Sequence, residues 1–225
     1  LAGRKAQSLT ADLKQKISLG RGLVREDVAA ILFDEPLTVI DPHLKWQLRA
    51  QLKKLHREVG HTMVYVTHDQ TEALTFADKV VVMLDGAVIQ VGTPEELFAR
   101  PKHTFVGYFI GSPGMNVIPA RLDGASVVIG GETVVLPAAA SAPASARIEL
   151  GVRPEFVTLG AEGMPFAVTR VDDVGREKIV HGTVAGTAIS AILGETETVP
   201  AEPRVTFRPE GLNLYADDWR IEVAS

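Results

Sequence analysis

Cysteine is absent from all 225 residues, which excludes disulfides and thiolate metal sites and suits a cytosolic compartment. No apolar run approaches the ~20 residues needed to span a bilayer. No basic-then-apolar leader opens the chain either, so neither secretion nor membrane insertion is expected. Histidine is scarce: only His181 lies beyond residue 112, too little for a metal constellation there, and it is expected to be solvated or core. Basic charge is scarce in that half too. Residues 113–225 carry 9 Lys and Arg against 15 Asp and Glu, whereas residues 1–112 carry 14 against 13. A surface that follows a phosphate backbone needs the opposite sign, so nucleic acid is not an expected partner. An initiator Met is missing as well; the chain opens mid-pattern and is expected to be a fragment. What remains is ordinary globular composition, 46% hydrophobic and 23% charged, with length for one large domain or two ordinary ones.

Up to about Gly111 strand and helix patterns alternate. Ala29–Phe33 is a short apolar run that stops at Asp34-Glu35-Pro36, as a buried parallel strand does. Asp41 and Pro42 then suit the N-cap and first position of a helix. Leu44, Leu48, Leu52, Leu55 and Val59 form its apolar face, Gly60 ends it, and Lys45, Arg49, Lys53, Lys54 and Arg57 are expected on a solvated face. A second strand, Thr62–Val66, runs into Thr67-His68-Asp69. A third run turns at Asp85-Gly86, a hairpin signal, and Thr93-Pro94-Glu95-Glu96 reads as a capping box. Strands alternating with helices predict a mostly parallel sheet whose ligands sit beyond the carboxyl ends of its strands. Two such ends carry chemistry here, Asp34-Glu35 and His68.

From Ser112 the pattern changes to short β-branched runs broken by Gly, Pro and Asp: 126–129, 133–136, 147–152, 166–171, 178–181 and 188–193. Residues 137–146 read as a loop. A small all-β barrel or sandwich is predicted, giving domains at 1–111 and 112–225. Trp219 could anchor a domain contact or close that barrel, and the second is expected.

A strand-end carboxylate such as Asp34 can support Mg²⁺, which keeps most of its water, while a neighbouring acid such as Glu35 can polarise an attacking water. An acidic turn after a strand is the plain alternative. Two further segments follow in order: Leu37-Thr38-Val39-Ile40-Asp41, then His68 thirty-four residues after Asp34. Together FDEP, LTVID and VTHD resemble the Walker B, D-loop and H-loop of an ABC-transporter ATPase. The run from Gln70 to Pro101 and FIGSPGMN are similar to the subfamily that drives maltose and glycerol-phosphate import. Leu150–Glu155, with Arg153, resembles an element of its accessory OB-like (TOBE) domain. The resemblance implies an α/β nucleotide-binding domain followed by a β-rich OB-like domain. It implies ATP and Mg²⁺ as cofactors, Asp34 as the magnesium-supporting acid, Glu35 as the base, His68 as the γ-phosphate contact and Asp41 as an acid at the dimer interface. The P-loop lies outside this sequence, so the polypeptide alone is expected to be inactive.

One segment departs from the family. Where LSGGQ is expected, this chain reads Leu9-Thr10-Ala11-Asp12-Leu13. The family's glycines let backbone approach the γ-phosphate at a helix N-terminus. Thr10 keeps the hydroxyl, but Ala11 and Asp12 add side chains, and Asp12 adds negative charge unless it simply caps the helix. A weak signature is therefore expected from Thr10, Ala11, Asp12 and Leu13. The implied partners are transmembrane permease subunits, a solute-binding protein indirectly, and a second ATPase subunit, which the weak signature favours as a different chain. The implied location is peripheral, on the cytoplasmic face of the membrane. A non-catalytic regulatory partner remains the alternative. A P-loop ATPase of DNA maintenance is a third reading, opposed by the lack of long coiled-coil patterns.

Overall fold

The computed structural model describes residues 6–24, 28–38 and 40–221. Contacts divide the chain into two compact units, Leu1–Asp78 and Lys79–Ser225. Among the described residues no helix is long and apolar enough to cross a membrane.

The first unit runs α1 (Ala11–Leu23), β1 (Ala30–Asp34), α2 (Pro42–Val59), β2 (Thr62–Val66) and α3 (Gln70–Phe76). β1 and β2 pair in parallel, in a register that sets Ile31 opposite Met63 and Asp34 opposite Val66. Alternation along β1 sends Ile31 and Phe33 into a core with Leu19, Leu37 and Ile40, against which Leu44, Leu48, Met63 and Tyr65 pack. The other face of this sheet shows Leu32, Val64 and Val66 to solvent. Gly60, at φ +71°, donates its N–H to His56 O and ends α2 where the sequence predicts.

The expected solvated face of α2 is only partly so. Lys45 Nζ lies 3.5 Å from Glu72 of α3, Lys53 Nζ donates to Thr75 O at 3.0 Å, and Arg49 is half-buried. Periodicity within α2 cannot register a helix that returns over it after the intervening strand. Lys54 and Arg57 do stay exposed.

The second unit opens with the hairpin β3 (Val80–Leu84) and β4 (Ala87–Gly92), turned by Asp85 and Gly86 at φ 49° and 79°. Helix α4 (Pro94–Ala99) starts on the predicted capping box: Thr93 accepts from Glu96 N–H, and the Glu96 carboxylate accepts from Thr93 N–H. Helix α5 (Thr104–Phe109) follows, then strands β5 (Asn116–Pro119), β6 (Arg121–Asp123), β7 (Ser126–Ile129), β8 (Glu132–Val135) and β9 (Ile148–Val152). Next come β10 (Val157–Gly160), β11 (Met164–Pro165), β12 (Ala167–Asp173), β13 (Glu177–Val184), β14 (Thr187–Gly194), β15 (Arg204–Phe207), β16 (Leu212–Ala216) and β17 (Trp219–Arg220). All pairings among β5–β17 are antiparallel, in sheets ordered β17-β16-β9-β5, β6-β7-β8, β12-β13-β14 and β10-β15-β11. They enclose one core that includes Ile118, Val127, Leu150, Val180, Val205 and Leu214.

Trp219 does not close this core. It is 48% exposed and meets His103 edge-on, with ring centroids 4.9 Å apart, because β17 is the short outer strand of its sheet. Arg153 is buried instead. Its guanidinium lies 3.7 Å over the Phe98 ring, donates to Phe98 O and Ile110 O at 2.7 and 2.6 Å, and is pushed down to about 10 by burial.

Candidate functional site

Pairing between β1 and β2 runs one bond past the strand end, where Glu35 N–H donates to Val66 O at 2.9 Å. The chain then turns, with Glu35 at φ +43°. A non-glycine residue pays roughly 1–2 kcal/mol for that left-handed conformation, which fits a residue placed for more than packing. Here it goes with a carboxylate met from both sides. His68 Nδ1 lies 2.8 Å from Oε1, and Thr38 Oγ1 donates to Oε2 at 2.9 Å.

His68 stands at the matching end of β2, so adjacent parallel strands bring the acid and the imidazole together. Both are open to solvent, with side-chain exposures of 41% for Glu35 and 71% for His68. The hydrogen bond from His68, followed by that from Thr38, holds the Glu35 carboxyl below its ordinary value. Reciprocally, the bond to Glu35 raises the imidazole of His68. Near neutral pH this couples a carboxylate to an imidazole biased towards its charged form, a base beside a donor able to meet an anion.

Asp34 lies exposed at the end of β1. Among the described residues no group of three or more His, Cys, Asp or Glu could hold a metal ion. The Asp34 carboxylate could supply one oxygen to a Mg²⁺ ion that keeps most of its waters. Asp41 opens α2, its carbonyl accepting from Leu44 and Lys45 N–H at 2.9 and 3.0 Å. Val39, between Thr38 and Asp41 in the D-loop-like segment, lies outside the described residues.

At α1 the capping residue is Thr10, not Asp12. Thr10 is extended and its hydroxyl accepts from Leu13 N–H at 3.5 Å, which leaves Ala11 and Asp12 as the first two helical positions. The side chains of Ala11 and Asp12 lie outside the described residues. No described hydrogen bond joins Thr10 or Leu13 to Glu35 or His68; Gln15 ties α1 to the turn after β1, its amide donating to Pro36 O at 2.8 Å.

Sequence reasoning gave no role to Thr38, Gln15 or the polar cluster beneath His68. Glu72 is 3% exposed and accepts from Tyr65 Oη at 2.8 Å and Thr67 Oγ1 at 3.0 Å. The available signal was Asp69-Gln70-Thr71-Glu72, a cap with an acid three residues on. Asp69 indeed caps α3, accepting from Thr71 and Glu72 N–H.

His181 is not alone. Nδ1 is 2.9 Å from Ser190 Oγ and Nε2 is 3.2 Å from Asp172 Oδ2, across three neighbouring strands. Ser190 N–H is committed to Asn116 Oδ1 at 2.8 Å, so it offers no donor to a developing oxyanion, and the row reads as a cross-strand polar ladder.

Comparison with known proteins adds the following. Residues 111–157 match the family described as MalK OB fold domain. The chain is 40% identical over 223 residues to the sn-glycerol-3-phosphate import ATP-binding protein UgpC of Chromobacterium violaceum, which covers 96% of the chain and 60% of that protein. The protein of the same name from Cereibacter sphaeroides is 40% identical over 222 residues, covering 97% and 62%. An ABC transporter ATP-binding protein of Sinorhizobium fredii, y4oS, is 40% identical over 213 residues, covering 93% and 57%. The chain therefore spans about three-fifths of the length of these relatives.

Proposed function

We propose that the chain, 40% identical over nearly its whole length to ATP-binding proteins of ABC importers, is the C-terminal portion of an ATPase subunit energising uptake of a small solute. The solute class is glycerol-phosphate, which the names of two of these relatives print, or a related polyol or sugar. The observation that carries the reading is the 2.8 Å contact between Glu35 and His68 at the ends of two adjacent parallel strands.

In this reading Glu35 accepts the proton of the water that attacks the γ-phosphorus of ATP, and His68 donates to a γ-phosphate oxygen. His68 occupies Oε1 of Glu35 and Thr38 occupies Oε2. A phosphate that draws His68 away would leave Oε1 free to take a water, so nucleotide arrival and base release are one event. Asp34 would hold Mg²⁺, which supplies charge neutralisation of the phosphates when bound. Asp41 would face a second ATPase subunit, and permease subunits would anchor the assembly at the cytoplasmic face of the membrane.

The test is made on the full-length protein with its permease. Glu35→Gln should retain ATP binding and lower turnover by roughly 10²–10⁴-fold, the range for loss of a general base. Unchanged turnover would remove Glu35 from that role. A second reading, a regulatory subunit with one degenerate ATP site in a heterodimer, is favoured by Ala11 and Asp12 in place of glycines. Single-turnover hydrolysis by the subunit pair separates the two.

A further inference from the structure

We propose that Glu72 is the positioning residue for His68: a buried carboxylate that, through the Thr67 hydroxyl, braces the backbone from which the imidazole projects and so sets where that ring emerges beside Glu35. The inference rests on the roles proposed above for Glu35 and His68.

His68 is mostly exposed, so packing does not set its direction. Its neighbours in sequence do. Thr67 Oγ1 donates to Glu72 Oε2 at 3.0 Å and accepts from Asp69 N–H at 3.0 Å. Asp69 Oδ1 accepts from Glu72 N–H at 3.2 Å and from Thr71 N–H at 2.8 Å. The Glu72 carboxylate thus holds Thr67, while Asp69 is held by the Thr67 hydroxyl and by the Glu72 N–H, so the residue between them has its backbone braced on both sides. Tyr65, two residues before Thr67, donates to the same Oε2 at 2.8 Å and connects the clamp to β2. The other oxygen faces Lys45 Nζ of α2 at 3.5 Å.

A carboxylate buried to 3% exposure is a costly way to dock one helix on another. An apolar side chain of similar size usually docks a helix as well or better. What an apolar residue cannot do is accept from two donors in one strand and its following turn. An acceptor kept there makes sense where the direction of an exposed side chain matters, because displacement of a reacting group by about 1 Å can cost 10²-fold in rate.

The experiment is steady-state and single-turnover ATP hydrolysis by the full-length protein assembled with its permease. Glu72→Leu, which removes the acceptor, should lower kcat by about 10- to 100-fold, with KM for ATP within about 2-fold. In a His68→Ala background the same substitution should have almost no further effect, since it acts through the imidazole. Equal loss with and without His68 would show that Glu72 serves the fold alone and would overturn the proposal. So would an unchanged kcat for Glu72→Leu where His68→Ala is inactive, an outcome that leaves the reading of the site intact. If His68→Ala itself turns over normally, it is the site reading that fails. Should Glu72→Leu not fold, Thr67→Val keeps the buried carboxylate and its tie to Lys45 but breaks the clamp. It should reproduce the loss of kcat, and a normal kcat there would overturn the proposal equally.

Discussion

At the scale of single residues the Glu35–His68 contact makes a titration with a definite sign. His68 is raised from 6.5, so its share of stability is fully present below that value and is lost as pH rises through the raised one. Glu35 is lowered from 4.5, so its share is present above that value and is lost as pH falls through the depressed one. Both shares are complete together between about 4.5 and about 6.5, where the pair is carboxylate and imidazolium. Both groups are exposed and salt screens them, so the effect on global stability is small and the proton itself is the better reporter. An NMR titration of the His68 ring in nucleotide-free protein should give a midpoint above 6.5, and Glu35→Gln should bring it down towards 6.5. Equal midpoints in the two proteins would mean that the bond does not persist in solution.

At the scale of elements, four hairpins in the second unit share one turn geometry. The central pairs Asp85-Gly86, Gly130-Gly131, Ala185-Gly186 and Asp217-Asp218 all have positive φ at both positions. Such turns match the right-handed twist of their strands and favour Gly, Asn and Asp. Ala185, at φ +48°, is the misfit. Ala185→Gly removes a left-handed penalty of roughly 1–2 kcal/mol, partly offset by the greater freedom of glycine in the unfolded chain. A net gain of about 0.5–1 kcal/mol should raise the melting temperature by about 1–4 °C. Gly186→Ala should move it the other way, and a fall with Ala185→Gly would show that the methyl group packs usefully.

The same turns explain what could be read from sequence. Asp85-Gly86 and the Thr93–Glu96 box are local chemistry, and both form where their residues stand. So do the runs that became β7, β9, β13 and β14. β5 and β16 were missed because each is held from far along the chain: Ile118 pairs with Leu150, and Leu214 pairs with the same residue. Tyr215 is fully buried and donates to Pro101 O, a contact no window of sequence contains. In the site, Glu35 and His68 were legible because each ends an apolar strand in a known order of motifs. Glu72 was not, because its role depends on a bond to Thr67 and a charge from α2.

At the scale of the whole molecule two observations point beyond this chain. The first is the bare face of the β1–β2 sheet, with Leu32 at 75% exposure beside Val64 and Val66. Parallel strands are ordinarily covered on both faces, so this face calls for a further layer. The second is the start of α1, where Ala11 and Asp12 occupy positions that glycines hold in the resembling signature. A helix N-terminus attracts a phosphate through free N–H groups and its dipole, but a carboxylate there competes for the same field. At ~4 Å, like unit charges repel by about 1 kcal/mol in bulk water and by more at a partly dry surface. The full-length protein purified as a homodimer should therefore hydrolyse ATP slowly, both of its sites depending on this segment. Ala11→Gly with Asp12→Gly should raise that rate by at least about 10-fold, the equivalent of 1.4 kcal/mol per site. The helix itself should lose only ~1 kcal/mol for each glycine, which the unfolding midpoint would report separately. A homodimer that turns over rapidly without the substitutions would mean that Thr10–Leu13 already serves as a working signature and that no different partner is needed.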